Sequence, residues 1–348
     1  MRLFCFFLLL CAVQAQDTKA TYFIFDAPGA GTSDNQGTYA TALNGAGTVT
    51  GYYSDGGFLN HGFVRAVDGT VTVFDAPGAG TIAYSGTRPC AIDHAGTITG
   101  YFMDPQGVSH GFIRTPDGRI TTFQAPGAGT HDTQGTRPQG ISSAGITGTY
   151  TDAQFRTHGF VRTAAGTFTS FDVPGADATY PVAINNAGDV TGYYTGFYGF
   201  VRAADGTIAT FQAPGGGDSY GVSINDAGEI AGYSQQDFFS YGLLRAPEGA
   251  ITSFVVPRGG RRQLQGTYAL GINNAGYVTG YYVSWHNGYY GFVRDPDGAI
   301  TAFEAPGALA RLDQGTVGYA INEARAIAGY YSDNQSGIHG FLRVPAAQ

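Results

Sequence analysis

Lysine is almost absent from this chain, which carries Lys19 as its one lysine beside 17 arginines. The formal net charge of the 348 residues is −8 at pH 7. An acidic surface repels the phosphate backbone of nucleic acids, so the composition argues against a general nucleic-acid partner. The charge balance therefore removes one large class of partners before any motif is considered.

Long apolar runs are confined to the N terminus, in MRLFCFFLLLCAVQAQ. This run is too short to cross a bilayer as an ordinary helix, so no membrane span is predicted. Arg2 precedes the run, and the small residues Val13 and Ala15 fit cleavage after Ala15. We interpret 1–15 as a signal peptide and the mature chain as secreted, either extracellular or periplasmic.

Cysteine is scarce, with three in the whole chain. Lipidation at Cys11 is an alternative to simple cleavage, although Leu10 is larger than the residue that normally precedes a lipidated cysteine. Removal of the leader leaves Cys90 as the single thiol. One thiol cannot form an intramolecular disulfide, and a small, buried, apolar role is expected for it.

Familiar catalytic patterns are also missing. The sequence has no G-x-S-x-G, no H-E-x-x-H and no phosphate-binding glycine loop with its lysine. Its Asp-Gly turns lack the spaced carboxylates of a calcium loop. We therefore predict no cofactor and no metal site, and no motif indicates catalysis.

Glycine and aromatic residues, by contrast, are abundant, with 55 Gly, 24 Phe and 23 Tyr. This combination is typical of short strands joined by tight turns. Three short elements each occur seven times: Phe-x-x-Pro, an INNAGxVTGYY-like run, and Gly-Phe-aliphatic-Arg. The glycines of the last element are Gly62, Gly111, Gly159, Gly199, Gly242, Gly291 and Gly340. A period in the forties with strand-like content is typical of propeller blades.

Each repeat divides into four short strands, called A to D in chain order. The Asn-rich pair ends A, VTGYY forms B, HGFVR forms C, and TVTVF forms D before a proline that stops the ladder. We predict an all-β fold, a seven-bladed β-propeller with four antiparallel strands per blade, as one domain over 16–348. The blades are expected to begin near residues 37, 86, 135, 179, 219, 266 and 316.

The order of the elements predicts how the ring closes. The first Phe-x-x-Pro, at Phe25, precedes every GFVR, and the last GFLR, at 340–343, has no D strand after it. The N-terminal strand at 21–26 is therefore expected to pair with the last blade. That pairing would leave no open edge between blades.

The run INNAGxVTGYY followed by HGFVR resembles the bacterial extracellular repeats named for a His-Ala-Phe motif. This chain has Gly where those repeats have Ala, and Arg where they more often have Trp. The resemblance covers the whole mature chain, and it implies export and a propeller-like fold. It supplies no activity that could be assigned to particular residues.

Strand C carries residues that recur in every repeat. Phe63 and its equivalents are predicted to form the core between blades. The arginines at the end of the strand are either scaffold or seven equivalent anion sites. As scaffold, each would bond backbone carbonyls or a carboxylate such as Asp26, Asp75 or Asp172, and we favour that role. Strand A is expected to line the axis.

A unique ligand needs an asymmetric site, so the variable B–C and D–A loops are the best candidates. One region combines the only tryptophan with the only basic cluster. The candidate ligand-binding residues are Arg258, Arg261, Arg262, Trp285, His286, Tyr289 and Arg311. An aromatic ring beside guanidinium groups suits a sugar or an anion. The alternative is a solvated loop with one stray tryptophan.

These features favour a secreted, non-catalytic binding protein, expected to be a monomer, that recognises glycan or cell-surface polymer. One alternative is a polysaccharide lyase, in which Arg261 or Arg262 neutralises a uronate carboxylate while His286 or Tyr289 removes the neighbouring proton. A purely structural extracellular role is the second alternative. Propellers host many functions, so the fold alone does not choose among these three.

Overall fold

The computed structural model describes residues 20–260, 262 and 265–346. These residues form an all-β structure of short, mostly antiparallel strands, as the sequence predicts. In this part of the chain, no helix could cross a membrane. The predicted signal peptide at 1–15, with Cys11, lies outside the described residues, as does Arg261.

The strands fall into repeated sets, which we number as units 1 to 7. The first strand of the chain is β1 (Thr21–Phe25). Units 1 and 2 contain β2 (Gly37–Leu43), β3 (Val49–Ser54), β4 (Asn60–Arg65), β5 (Val71–Phe74), β6 (Gly86–Ile92), β7 (Ile98–Met103), β8 (Ser109–Arg114) and β9 (Ile120–Phe123). Units 3 and 4 contain β10 (Gly135–Ser142), β11 (Gly145–Thr151), β12 (Thr157–Arg162), β13 (Phe168–Phe171), β14 (Thr179–Ile184), β15 (Val190–Tyr194), β16 (Tyr198–Arg202) and β17 (Ile208–Phe211). Units 5 and 6 contain β18 (Asp218–Ile224), β19 (Ile230–Gln236), β20 (Phe239–Arg245), β21 (Ile251–Phe254), β22 (Gly266–Ile272), β23 (Val278–Val283), β24 (Tyr289–Arg294) and β25 (Ile300–Phe303). Unit 7 contains β26 (Thr316–Ile321), β27 (Ile327–Ser332) and β28 (Ile338–Val344).

Within a unit the strands pair antiparallel in the order A–B–C–D, as in β2–β3, β3–β4 and β4–β5. Unit 7 takes its fourth strand from the other end of the chain. There β1 pairs antiparallel with β28, from Thr21 opposite Val344 to Phe25 opposite Gly340. The N-terminal strand thus occupies the D position that the C-terminal sequence leaves vacant.

Some neighbouring units also touch through a short parallel pairing between strand C of one unit and strand A of the next. Asn60 opposite Gly86 joins units 1 and 2, and Ile338 opposite Gly37 joins units 7 and 1. The hydrogen-bonded ladders do not form one closed sheet but divide into sheets of 16, 8 and 4 strands. Side-chain packing between units therefore matters more than continuous pairing.

The repeated asparagine at the end of strand A serves two units at once. Asn44 Oδ1 accepts hydrogen bonds from the backbone N–H of Ala46 (3.1 Å) and Thr48 (2.9 Å), which closes its own turn. Its amide donates to the Asp93 carbonyl of the next unit at 3.3 Å. Equivalent amides link units 4 to 5, 5 to 6, 6 to 7, and 7 back to 1. The asparagine side chain therefore closes its own turn and links that turn to the next unit by a hydrogen bond.

The strand-C phenylalanines form the core predicted for them. The equivalent residue is fully buried in every unit: Phe63, Phe112, Phe160, Phe200, Leu243, Phe292 and Phe341. Leu243 replaces the phenylalanine in unit 5. Phenylalanines of the preceding D strand meet them edge-on, as with Phe74 and Phe112 at 6.0 Å between centroids. Each unit therefore contributes rings to a core that it shares with the next.

Six of the strand-C arginines donate to the carbonyl of the following residue, which is one of the two kinds of scaffold partner that we predicted. Arg202 is typical: Nη1 donates to the Ala203 carbonyl at 3.2 Å, and the guanidinium lies 5.0 Å from the centre of the Phe171 ring. The aspartates named as alternative partners accept from histidine instead, as Asp75 does from His61 at 2.9 Å. The Arg202 guanidinium thus bonds a carbonyl and lies over an aromatic face.

The connections gather at two opposite ends of the strands. D–A loops bond the ends of B strands, as in Gly31 N to Ser54 O at 2.9 Å and Gly80 N to Met103 O at 2.7 Å. We call the end with the D–A and B–C connections the loop face, and the end with the A–B and C–D turns the turn face. The variable sequences lie on the loop face.

Candidate functional site

The predicted ligand-binding residues lie on the loop face around unit 6. Trp285 is 68% exposed, and its ring centre lies 3.4 Å from that of His286. Arg258 and Arg262 are exposed on the D–A loop that leads into this unit. That loop is held against the Trp285 turn by a hydrogen bond from Gly260 N to Val283 O at 2.9 Å. The loops that carry the tryptophan and the basic residues are therefore neighbours.

Gln265 holds the two loops together from beneath. Its Nε2 donates to the Trp285 carbonyl at 3.3 Å and to Asn287 Oδ1 at 2.7 Å. Its Oε1 accepts from the backbone N–H of Arg262 at 2.9 Å. The buried amide thus fixes the backbone on both sides of the patch and leaves the outer rings exposed.

Tyr289 and Arg311 already have protein partners. The Tyr289 hydroxyl donates to Asp313 Oδ1 at 3.2 Å, and burial together with the Asp313 charge raises the pKa of Tyr289 to about 12. Arg311 Nε donates to Gln314 Oε1 at 2.9 Å, and its Nη2 donates to the Asn334 carbonyl at 3.3 Å. These two side chains brace the loops beside the patch.

Exposed aromatic residues recur on the loop face in other units, and our sequence analysis missed them. Phe155, Phe197 and Phe238 are 62%, 50% and 62% exposed, and Tyr84 stacks on Phe58 at 5.5 Å. All five have positive φ angles, between 59° and 67°. A bulky residue with φ above zero is a true outlier. The loops hold these rings outward at the cost of backbone strain.

Strand A of every unit contains a β-bulge, and the bulged residues point to the axis. Register shifts occur around Thr41 in unit 1 and at the matching place in every other unit. The residues at the bulge are Thr41, Cys90, Gln139, Val182, Val222, Leu270 and Tyr319. All seven line one cavity of about 260 Å³, together with a ring of Leu43 and six isoleucines. We call this space the axial cavity, since strand A of every unit contributes to its wall.

The bulge positions do not share one chemistry. Units 1 to 3 supply polar or sulfur-containing groups, whereas units 4 to 6 supply aliphatic groups. Unit 7 supplies Tyr319, which is 38% exposed, while the hydroxyl of Thr41 is buried and has no hydrogen-bond partner. Cys90 is half-buried on this wall and thus is less buried than we expected. The wall of the axial cavity therefore differs in chemistry from unit to unit.

A belt of tyrosines surrounds the axis toward the loop face. Tyr39 stacks on Tyr52 at 4.8 Å, and Tyr268 stacks on Tyr281 at 4.7 Å. In units 2 and 3 the strand-A tyrosine is replaced by arginine. Arg88 lies 4.9 Å from the Tyr52 ring centre, and Arg137 lies 5.4 Å from that of Tyr101. Burial is the main cause that raises the pKa of Tyr52, so these phenols remain neutral at ordinary pH.

The histidines that begin strand C bind carboxylates and do not converge on one point. His158 Nδ1 lies 2.8 Å from Asp172 Oδ2, and its Nε2 lies 3.2 Å from Asp152 Oδ2. His339 makes the same pair of contacts with Asp26 and Asp333 across the chain termini. Among the described residues, no three His, Cys, Asp or Glu side chains are placed to share a metal ion.

Comparison with known proteins identifies no relative by sequence. No family model matches this chain, and no curated protein matches it significantly. Solved structures do resemble it. The structure of U3-55K aligns with a TM-score of 0.56 at 11% identity, over 92% of this chain and 98% of that one. A puromycin hydrolase structure aligns with a TM-score of 0.52 at 12% identity, over 87% of this chain and 50% of that one.

The Aleuria aurantia lectin in complex with Fucalpha1-6GlcNAc aligns more weakly, with a TM-score of 0.42 at 13% identity. The alignment covers 79% of this chain and 96% of the lectin. A score at that level carries no argument about this chain. The two stronger matches are similar in fold alone, because identity near a tenth does not transfer a site or an activity.

Proposed function

We propose that this chain is a secreted, non-catalytic binding protein that recognises a glycan or cell-surface polymer through its loop face. We further propose that its units are the seven blades of a closed propeller, as in the His-Ala-Phe repeats that its sequence resembles. The pairing of β1 with β28 supports closure, as does the hydrogen bond from Asn322 Nδ2 to the Asn44 carbonyl at 3.1 Å. Export rests on the N-terminal leader sequence.

The observation that carries the binding proposal is the set of exposed rings on one face. Trp285, Phe155 and Phe238 are each more than 60% exposed, although an aromatic side chain gains most from burial. Their loops come from units 6, 3 and 5, so the rings are spread around the face. Sugar rings stack their C–H groups on such faces, and a polymer could contact several units at once.

The lyase alternative has weaker support. A general base must be deprotonated near its working pH. Tyr289 instead keeps its proton, since its hydroxyl donates a hydrogen bond to Asp313 and its pKa is raised to about 12. His286 lies beside Trp285 and is exposed, so it remains the better base of the two predicted. Arg262 is exposed to water, whereas closed active sites exclude water from the reaction.

The test is binding of the mature protein to a glycan array and to insoluble cell-wall polysaccharides. For a ligand that binds at unit 6, Trp285→Ala should cost about 2 kcal/mol or more, roughly thirtyfold in affinity. Val67→Ala is the matched control, because Val67 is 64% exposed but lies on a C–D turn at the opposite face. The Trp285 variant should melt at the wild-type temperature.

Two outcomes would contradict this proposal. Formation of unsaturated products from uronate polymers, lost with His286→Ala, would establish the lyase. Absence of any retained glycan, with Trp285→Ala indistinguishable from Val67→Ala, would favour the structural role.

Arg258 and Arg262 give a further test if the ligand is anionic. Replacing them should lower the affinity for an anionic ligand more than that for a neutral one, and the loss should be smaller at high salt.

A further inference from the structure

Unit 5 differs from several other units at the start of strand C, on the loop face. In units 1, 3 and 7 a histidine at this place bridges two aspartates, one in the B–C loop and one directly after strand D. In unit 3 this histidine is His158. The three corresponding residues of unit 5 are Gln235, Tyr241 and Val255. Unit 5 therefore cannot form the bridge between histidine and aspartate.

A pocket of about 400 Å³ lies at this place in unit 5. The described residues that line it are Gln236, Asp237, Phe239, Tyr241 and Val255. Two of them, Tyr241 and Val255, stand where the bridging histidine and its strand-D aspartate stand in unit 3. The volume lies within the usual range of small-molecule sites. The loss of the bridge thus coincides with a space that a ligand could fill.

Aromatic and aliphatic side chains give this pocket apolar surface. The rings of Phe239 and Tyr241 meet at 74° with their centroids 4.7 Å apart, and edge-to-face contact of this kind is favourable. Val255 adds an aliphatic side chain, and all three residues are half-buried. Flat rings beside an aliphatic group suit the face of a sugar ring that carries its C–H groups.

The same pocket also contains groups that can form hydrogen bonds. They are the Gln236 amide, the Asp237 carboxylate and the Tyr241 hydroxyl, and none of them has a partner in the described part of the chain. Gln236 Nε2 lies so close to Gly215 that a Cβ there would approach it to 2.6 Å. An amide donates and accepts, whereas a carboxylate only accepts. Together they can bond neighbouring hydroxyls of a sugar.

The turn that carries Asp237 has a backbone conformation that its residues disfavour. Gln236 pairs with Phe239 between β19 and β20, so the turn consists of Asp237 and Phe238. Their φ angles are 47° and 64°, where a two-residue hairpin turn normally has Asn-Gly. Strain of this kind is concentrated at ligand sites. Here it holds a carboxylate at the edge of the pocket.

We propose that the unit 5 pocket binds one uncharged sugar residue of the glycan. The apolar face of the sugar packs on Phe239 and Tyr241, and its hydroxyls bond Gln236 and Asp237. A uronate is disfavoured, because its carboxylate meets the like charge of Asp237. This inference rests on the proposed glycan binding and gives it a subsite with a charge preference opposite to that of the arginines at unit 6.

A quaternary ammonium group is the competing ligand, since aromatic rings beside a carboxylate also attract cations. Such a group has no hydroxyl or amide with which to bond Gln236. The mixture of donor and acceptor groups in the pocket therefore favours the sugar, and choline serves as the probe for the alternative.

Saturation-transfer NMR on the intact mature protein tests the pocket. The probes are methyl glycosides of glucose, galactose, mannose and N-acetylglucosamine, with methyl glucuronide as the charged comparison. At least one neutral glycoside should bind saturably, about tenfold or more tightly than the glucuronide. Asp237→Asn should weaken that glycoside about tenfold and narrow its advantage over the glucuronide, because hydrogen bonds to a charged group are the stronger ones. Asp297→Asn is the matched control, since it removes an exposed carboxylate from a C–D turn.

A second variant restores the bridge found in unit 3. Gln235→Asp, Tyr241→His and Val255→Asp together should leave a folded protein, as judged by its melting temperature, that no longer binds the glycoside. Binding that survives this triple change would overturn the proposal. So would tighter binding of choline than of any neutral glycoside, or no saturable binding of a neutral glycoside below about 10 mM.

Failure of this inference can be told apart from failure of the proposed function. Glycan retention that is lost with Trp285→Ala, when no glycoside binds at unit 5, would overturn the subsite and leave the proposed function standing. No retained glycan and no bound glycoside would overturn both.

Discussion

At the scale of single residues, one side chain often forms hydrogen bonds to two different elements of the fold. His158 is the clearest case, because it lies between Asp172 and Asp152 and stacks on Tyr150 at 5.0 Å. Burial alone would lower the pKa of His158, but the hydrogen bonds to the two carboxylates outweigh it and the net shift is upward. A histidine with this environment links strand C to the B–C loop and to strand D.

The pH dependence of that link follows from the direction of the shift. A raised histidine pKa means that its stabilisation is complete below the unfolded pKa of about 6.5 and is lost as pH rises through the folded value. The pKa of Asp152 is lowered, since hydrogen bonds to it outweigh its burial, so its contribution is lost as pH falls below about 4. His158→Gln should therefore lower the melting temperature more at pH 5.5 than at pH 8.5.

His131→Gln is the control for this comparison, because His131 is exposed on a D–A loop and forms no ion pair within the described part of the chain. Thermal melts of wild type and both variants at the two pH values are sufficient. Equal losses for His158→Gln at both values would show that the histidine contributes by packing on Tyr150 and not by charge.

At the scale of elements, the A–B turns fasten one unit to the next. Asn273 is 3% exposed; its amide donates to the Asn322 carbonyl at 2.9 Å, and its Oδ1 accepts from Tyr277 N at 2.9 Å. Unit 2 has Asp93 at this place, which keeps the turn bond to Thr97 N at 2.8 Å but carries no amide donor. Comparison of Asn273 with Asp93 thus separates the closing of the turn from the link to the next unit.

This difference allows a reciprocal pair of substitutions. Asn273→Asp should keep its turn but lose the link to unit 7 and destabilise the protein by about 1–3 kcal/mol, because the Asn322 carbonyl loses its donor. Asp93→Asn should add a donor toward unit 3 and stabilise by about 0.5–1.5 kcal/mol. Denaturant unfolding measures both, and a change of the same sign in the two variants would contradict the assigned role.

At the scale of the whole molecule, the pairing of β1 with β28 joins the two ends of the chain. Deleting 21–26 removes the partner of five β28 residues and leaves a bare, apolar strand edge. Such an edge invites pairing with other molecules. The truncated protein should aggregate or melt at a much lower temperature than wild type, as measured by light scattering and thermal denaturation. A monomeric variant with an unchanged melting temperature would show that the pairing is dispensable.

The sequence was a good guide to features that repeat and a poor guide to features that do not. Alternating apolar residues around Phe63 predict strand C and its buried ring, because periodicity reports burial. The bulge in strand A was not predicted, because its one extra residue interrupts the alternation of side chains that identifies a strand. Residues at the bulge, such as Thr41, Cys90 and Tyr319, were therefore not predicted to line one cavity.

The loop face shows the same limit in another form. Trp285 was singled out because it is unique, and the structure shows it to be exposed. Phe155 and Phe238 were overlooked because a phenylalanine in a strand-rich chain is ordinarily core. Their positive φ angles turn them outward, and the turn that holds Phe155 is closed within its own unit, where Phe155 N donates to Asp152 O at 3.1 Å.

The union of the first and last strands also sets the timing of folding. Thr21 meets Val344, whose codon is translated about 320 residues later, so unit 7 cannot be completed until nearly the whole chain has been made. At ordinary rates of synthesis, the N-terminal strand would wait about 16 s or longer for its partner. Contacts between residues so far apart in sequence form slowly. Until they form, the unpaired strands must avoid pairing with other chains. A chain that crosses a membrane unfolded would pass through before its last unit could form.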